Sequence, residues 1–153
     1  RWIIIKIIKA SKKDIPDIAF IEINSGYKFR GPIKIEEEIN RIKNDFIKGY
    51  DFFIEKRKRA YASVLFKDAI CHADYLSVIK SEHGKGWGKL FMKLIEEKAK
   101  KKKCKRITLE VNSKNKIAID LYKKFGYSII EVKEKINYGR KVTKYIMEKN
   151  LNV

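Results

Sequence analysis

Residues 51–79 hold three β-rich runs in immediate succession, DFFIEKR, RAYASVLFKD and AICHADYLSVI. Only short charged turns join them, and such turns reverse a chain but leave no room for a crossover helix. Neighbouring antiparallel strands are the expected outcome. By strict alternation in the third run, Ile70, His72, Asp74, Leu76 and Val78 share one side, and Cys71, Ala73, Tyr75, Ser77 and Ile79 share the other. One side suits a core and the other a cleft; period two does not say which.

After these strands the period changes. HGKGWG, residues 83–88, crowds three glycines into six residues, and Trp87, Leu90, Phe91, Leu94 and Ile95 then recur at helical spacing. Upstream, WIIIKIIKA reads as a strand and KKDIPDIAFIEINSG as a helix, with Pro16 in its first turn and Ile15, Ile18, Ala19 and Ile23 on its apolar side. GYKFRGP reads as a loop. Residues 35–50 follow as a second helix, with Ile35, Ile39, Ile42, Phe46 and Ile47 near helical spacing. Downstream come a strand at RITLEV, a helix at NKIAIDLYKKFG ending near Gly126, a strand at YSIIEVKEK and a last strand at KVTKYIMEK that closes the sheet. This order excludes a helical bundle and predicts an α/β fold, a mixed and largely antiparallel central sheet flanked by helices. With 153 residues, 44% hydrophobic and no repeat or low-complexity linker, a single domain over 1–153 is expected.

The formal net charge of +18 draws nucleic acid or acidic proteins to the surface, most densely at KAKKKKCKR, from Lys98 to Arg106. Lysine supplies 30 of the 37 basic residues, whereas bidentate reading of guanine or phosphate favours arginine. A lysine-rich solvated surface is the simpler account. Cys71 and Cys104 make no disulfide framework, and His72 and His83 lack a third ligand, so no metal site is expected. No apolar run approaches the roughly 18 residues of a membrane span, and the first residues lack the hydrophobic region and cleavage site of a secretory signal. The expectation is a cytoplasmic protein without a membrane partner.

If residues 83–88 lead into the N-terminus of the long helix, their backbone N–H groups converge on an anion, assisted by the positive end of the helix dipole. A pyrophosphate has the right size and charge. The GxxxxGK[ST] pattern is absent, however, and the GxGxxG spacing is not met. A purely structural glycine turn stays open on these grounds.

LSVIKSEHGKGWG followed by LEVNSKNKIAIDLYKKFGY resembles the GCN5-related N-acetyltransferase superfamily, most specifically over residues 69–127. The pyrophosphate loop of that family runs Arg or Gln, two variable residues, Gly, one variable residue, then Gly or Ala. Here His83, Gly84, Lys85, Gly86, Trp87 and Gly88 stand in those places, and His83 departs from the pattern. The resemblance implies acetyl-CoA as cofactor and an amine as acceptor. It implies that Leu76, Ser77 and Val78 lie beside the pantetheine and acetyl group, that residues 83–88 hold the pyrophosphate, and that Asn115 and Tyr122 also contact the cofactor. The closer resemblance is to protein N-terminal acetyltransferases, including those acting on ribosomal proteins. Leu109, Glu110 and Val111 followed by Leu121 and Tyr122 match it, implying Glu110 as base and Tyr122 as acid, with the Val78 N–H polarising the acetyl carbonyl.

The alternatives stay in view. Glu110 on an alternating strand also fits a solvent-facing charge pair, and His72 and Asp74 are the other bases offered. Near the C-terminus, Asn137, Tyr138, Thr143, Lys144, Tyr145 and Met147 only partly match the ending common in N-terminal acetyltransferases. Peptide N-terminus, lysine, polyamine and other small amines thus all remain as acceptors. The loop with Tyr27 and Phe29 serves either the acceptor pocket or surface packing, and a homodimer is admitted as an assembly. In a different class stands a basic nucleic-acid-binding protein that uses the fold without transfer.

Overall fold

The alternation in DFFIE sorts the molecule into layers. In β2 (Asp51–Glu55) the side chains of Phe52 and Ile54 point to one face of the sheet and Phe53 to the other. The computed structural model describes residues 5–27, 33–137 and 139–151, so the expectations for Phe29 and Tyr138 lie outside the described residues. On the first face α1 (Ile15–Ile23) and α2 (Ile35–Ile47) bury Ile15, Ile18, Ile21 and Ile42 against Phe52, Ile54 and Tyr61. On the second, α3 (Trp87–Lys101) and α4 (Lys116–Lys124) bring Trp87, Phe91, Met92, Ile95 and Ile119 onto the sheet. Each fully buried side chain of this size contributes about 1.5–3 kcal/mol, which is why the helical stripe read from the sequence holds α3 in place.

The sheet is completed by β1 (Ile7–Lys9), β3 (Ala60–Lys67), β4 (Ile70–Val78), β5 (Arg106–Asn112), β6 (Ser128–Asn137) and β7 (Arg140–Asn150). Its seven strands lie in the order β1-β2-β3-β4-β5-β7-β6, and every neighbouring pair is antiparallel except β4 with β5. The mixed, largely antiparallel sheet flanked by helices is the fold class expected. The last strand does not stand at the rim; β7 inserts between β5 and β6. Pro16 sits in the first turn of α1, which follows a 3-10 turn at Lys12–Asp14. In α2 the ends turn outward: Ile35 and Ile47 are 45% and 77% exposed, while Ile42 is buried. α4 closes on Gly126, whose N–H bonds Lys123 O while Tyr127 N–H reaches back to Tyr122 O, both at 3.0 Å.

Two departures from regular pairing shape the middle of the sheet. The parallel pairing of β4 with β5 runs only from Ile70↔Arg106 to Ala73↔Leu109, after which both strands continue apart. On the other edge of β4, Ser63 pairs with Tyr75 but Val64 pairs with Ala73, so Asp74 is an extra, bulged residue. The bulge overturns the strict alternation expected for this strand. Leu76 and Val78 share the α3 face with Cys71 and Ala73, not with His72. One inserted residue resets the period, and sequence alternation carries no mark of it.

Candidate active site

Where β4 and β5 part, backbone groups of β4 lose their strand partner. Ile79 N–H donates to Arg59 O at 2.9 Å, so alternation directs Ser77 toward β3 and turns the N–H and C=O of Leu76 and Val78 into the gap. Both groups of Val78 are engaged there by side chains. Its N–H donates to the Tyr27 hydroxyl, and its carbonyl lies 2.9 Å from His83 Nε2. The Tyr27 and His83 rings stack at 5.2 Å between centroids and 20° between planes. Ser77 points to the opposite layer, where its fully buried hydroxyl donates to Glu22 Oε1 at 2.6 Å.

The glycine turn closes one end of the gap. Gly84 and Gly86 have φ of 76° and 90°, values that an L side chain adopts only with strain, and Gly86 is the N-cap of α3. A Cβ built on either would meet nothing within 4 Å, so the space before the helix N-terminus is open. Gly88 serves packing instead: a Cβ there would come within 3.0 Å of Leu121 Cδ2, and its absence lets α3 approach α4. The turn is braced by Glu82, which accepts from Lys85 Nζ at 2.7 Å and from Trp87 Nε1 at 3.1 Å. Hydrogen bonds from Lys85 and then Trp87 hold the Glu82 carboxyl below its ordinary range. The Arg59 guanidinium, paired with Glu55, covers the Trp87 ring at 4.7 Å.

At the other end lies a cavity of about 1140 Å³, walled by the start of α2, by β4 and β5 past their divergence, by the β5–α4 loop and by the β6–β7 hairpin. Asp74, Leu76, Glu110, Asn115 and Tyr122 all line it. Asn115 caps α4, its Oδ1 accepting from Ala118 N–H at 3.2 Å. Burial, with Tyr27 adding to it, pushes the Tyr122 phenol up to about 12. Glu110 accepts from Lys135 Nζ at 2.7 Å, and its side chain is 34% exposed. Asp74 is exposed where it lines the cavity, yet desolvation by the surrounding wall, reinforced by Asp45, pushes its carboxyl up to about 6. His72 lies outside the cavity lining, with Nδ1 2.9 Å from Thr108 Oγ1.

Three features of this region went unread in the sequence. Lys135 reaches Glu110 from a strand that β7 separates from β5, so no local spacing links the two. Arg41 binds Glu38 and Asp45, donates to the Tyr61 hydroxyl at 3.0 Å and lies 3.7 Å over the Tyr75 ring. Glu22 is fully buried and receives Tyr61 and Ser77; its lone charge inside IAFIEI was the available signal. In the basic stretch, Lys98 and Lys102 lie over the rings of Phe53 and Phe66 at 5.5 and 4.8 Å. Among the described residues no cluster of three or more His, Cys, Asp or Glu could hold a metal ion, and no helix is long and apolar enough to cross a membrane.

No curated protein matches the chain. Solved structures do. A ribosomal-protein alanine N-acetyltransferase from Escherichia coli is 17% identical, with 98% of this chain and 96% of that one covered at a TM-score of 0.81. A ribosomal-protein-alanine N-acetyltransferase from Brucella melitensis is 18% identical, with 95% and 99% covered at 0.76. The protein yncA of Salmonella typhimurium, solved with its cofactor acetyl-CoA, is 16% identical, with 97% and 94% covered at 0.74. At such identities these likenesses show the shared fold. The family model described as Acetyltransferase (GNAT) family matches residues 28–127, well over half of the chain. That span takes in the diverging strands, the glycine turn and Tyr122, and the chain belongs to the acetyltransferase (GNAT) family.

Proposed function

We propose that the protein transfers the acetyl group of acetyl-CoA to a primary amine, and that the α-amine of a peptide or protein N-terminus is favoured over lysine side chains, polyamines and other small amines. The observation that carries this reading is the wedge between β4 and β5, with an open glycine turn at one end and a cavity bearing Tyr122 and carboxylates at the other. The side-chain-free space before Gly84 and Gly86 and the gap-facing groups of Leu76 and Val78 fit a long thiol bearing a pyrophosphate. Bound there, acetyl-CoA supplies a thioester with an electrophilic carbonyl carbon. Backbone N–H groups of residues 83–88 hold the pyrophosphate, Leu76 orients the pantetheine amides, Val78 joins it by exchanging its bonds to Tyr27 and His83 for the cofactor, and Asn115 adds a side-chain contact. A phenol at about 12 keeps its proton at neutral pH, which suits Tyr122 to donate it to the leaving sulfur.

On the acceptor side, Glu110 and Asp74, two of the carboxylates that line the cavity, are the candidates to take a proton from the amine. An α-ammonium near pKa ~8 gives up its proton to a carboxylate more readily than a lysine ammonium near ~10.4. The names of the two ribosomal-protein alanine acetyltransferases that share the fold support the same acceptor class. An acceptor screen tests it, following acetyl-CoA-dependent product with alanine- and serine-initiated peptides, peptides bearing only a lysine amine, and spermidine. Fastest turnover of the α-amines supports the reading. Preference for spermidine moves the acceptor to small amines, and inertness toward every amine overturns transfer.

Tyr122→Phe is expected to lower kcat by roughly 100-fold and to leave the acetyl-CoA Kd nearly unchanged, since the ring remains and only the proton donor is lost. Initial rates and calorimetry read the two separately. Tyr27→Phe carries the opposite sign. Its hydroxyl holds the Val78 N–H that the cofactor side needs, so its removal should tighten acetyl-CoA binding by about fivefold, the equivalent of one hydrogen bond of ~1 kcal/mol. Weaker binding by calorimetry would mean that the Tyr27 hydroxyl contacts the cofactor.

A further inference from the structure

We propose that Asp74, the bulged residue of β4, is the group that takes the proton from the incoming amine, and that Glu110 is a positioning carboxylate held by Lys135. The assignment rests on the transfer reading above and adds the identity of the base. Three observations carry it. The bulge takes Asp74 out of the regular pairing with β3 and presents it to the cavity, beyond the point where β5 stops pairing with β4. Glu110 already has a counter-charge, Lys135 Nζ at 2.7 Å, and a proton placed on it would strand that ammonium. Asp74 forms no ion pair among the described residues, although it shares the region with Arg41 and Lys135.

The groups around Asp74 explain why it suits the task. Asp45 and Arg41 face it from α2, Glu110 from β5 and Lys135 from β6, and the Tyr50 phenol feels its charge. Desolvation and the carboxylates of Asp45 and Glu110 raise its proton affinity, and Arg41 and Lys135 lower it without cancelling the rise. At about 6, against ~3.9 for an ordinary aspartate, Asp74 is ionised at neutral pH and still basic enough to accept a proton. In the balanced step one ammonium proton passes to an Asp74 carboxylate oxygen. The nitrogen lone pair then forms the C–N bond as the C–S bond breaks. The sulfur takes the Tyr122 proton, the second proton lost by nitrogen restores Tyr122, and Asp74 releases its proton through the open cavity.

The test uses the full chain at saturating acetyl-CoA with an alanine-initiated peptide. Wild-type kcat/KM is expected to rise with pH through about 6 and level above it, because the base works only when ionised. Asp74→Asn should lose that limb and fall by roughly 100-fold, its remaining pH dependence following the peptide amine near ~8. Glu110→Gln should lower the plateau and keep the limb. A readout independent of turnover is the carboxyl carbon-13 titration of Asp74, expected near 6 in wild type and shifted upward in Lys135→Met, which removes an opposing positive charge. Transfer by wild type with an unchanged Asp74→Asn profile, or an Asp74 midpoint near 4, overturns this assignment alone. Transfer of no acetyl group by wild type to any amine overturns the transfer reading and the assignment with it.

Discussion

A Gly86→Glu chain is expected to stay folded and to bind acetyl-CoA roughly 1000-fold more weakly, the equivalent of about 4 kcal/mol. The two halves of that expectation have separate causes. Nothing lies within 4 Å of a Cβ at this position, so the new side chain meets no protein and enters the space in front of α3. The backbone there has φ of 90°, which costs an L residue about 1–2 kcal/mol and which the turn relieves by swinging its N–H groups out of line. A carboxylate in place of an open N-terminus then repels the pyrophosphate and displaces charge-assisted hydrogen bonds worth about 1.5–3 kcal/mol each. Calorimetry measures the affinity and circular dichroism the fold. A folded variant with unchanged affinity would refute the placement of the pyrophosphate at residues 83–88.

Glu22→Ala should cost about 4 kcal/mol of stability and lower Tm by ~12 °C. The carboxylate is fully buried, and Oε1 accepts from the Tyr61 hydroxyl and from Ser77 Oγ, each at 2.6 Å. The Tyr61 oxygen also accepts from Arg41 Nη2 at 3.0 Å, so one carboxylate ties α1 to β3, β4 and, through Tyr61, to α2. Alanine removes the acceptor that the Tyr61 and Ser77 hydroxyls share, each loss costing about 1–3 kcal/mol, and opens a void in a fully buried site. Glu22→Gln keeps a side-chain oxygen and most of the volume and should cost less than half as much. Denaturant titration of both variants decides it, and a loss below ~1 kcal/mol in the alanine variant would mean that water replaces the carboxylate.

What could be read from the sequence was what depends on local period and local spacing. The α3 stripe was legible because Trp87, Phe91 and Ile95 repeat at the helical interval and all three are buried. The strands of residues 51–79 were legible because their connections are too short for any other topology. The faces of β4 were not, because the bulge at Asp74 shifts Leu76 and Val78 across the sheet. The Glu110–Lys135 contact is likewise a product of strand order and has no sequence period to announce it. His83 departs from the family loop in sequence, but its bond to Val78 O depends on the 3-10 turn at Lys80–Glu82 folding the ring back over the strand. Glu110 and Tyr122 were found by resemblance, and their cavity placement came only with the tertiary structure.

The insertion of β7 between β5 and β6 also fixes an order of events during synthesis. β5 has β4 beside it over only part of its length, and the rest of its pairing is supplied by residues 140–150, the last segment of the sheet to leave the ribosome. Until that strand arrives, the outer edge of β5 has nothing to bond, Lys135 has no route to Glu110, and Met147 has not filled its place in the core. A nascent chain that stops short of β7 therefore carries a complete glycine turn and long helix beside a bare strand edge, the kind of surface that recruits other chains. The cavity walled by the β6–β7 hairpin closes only when this last strand of the sheet is in place.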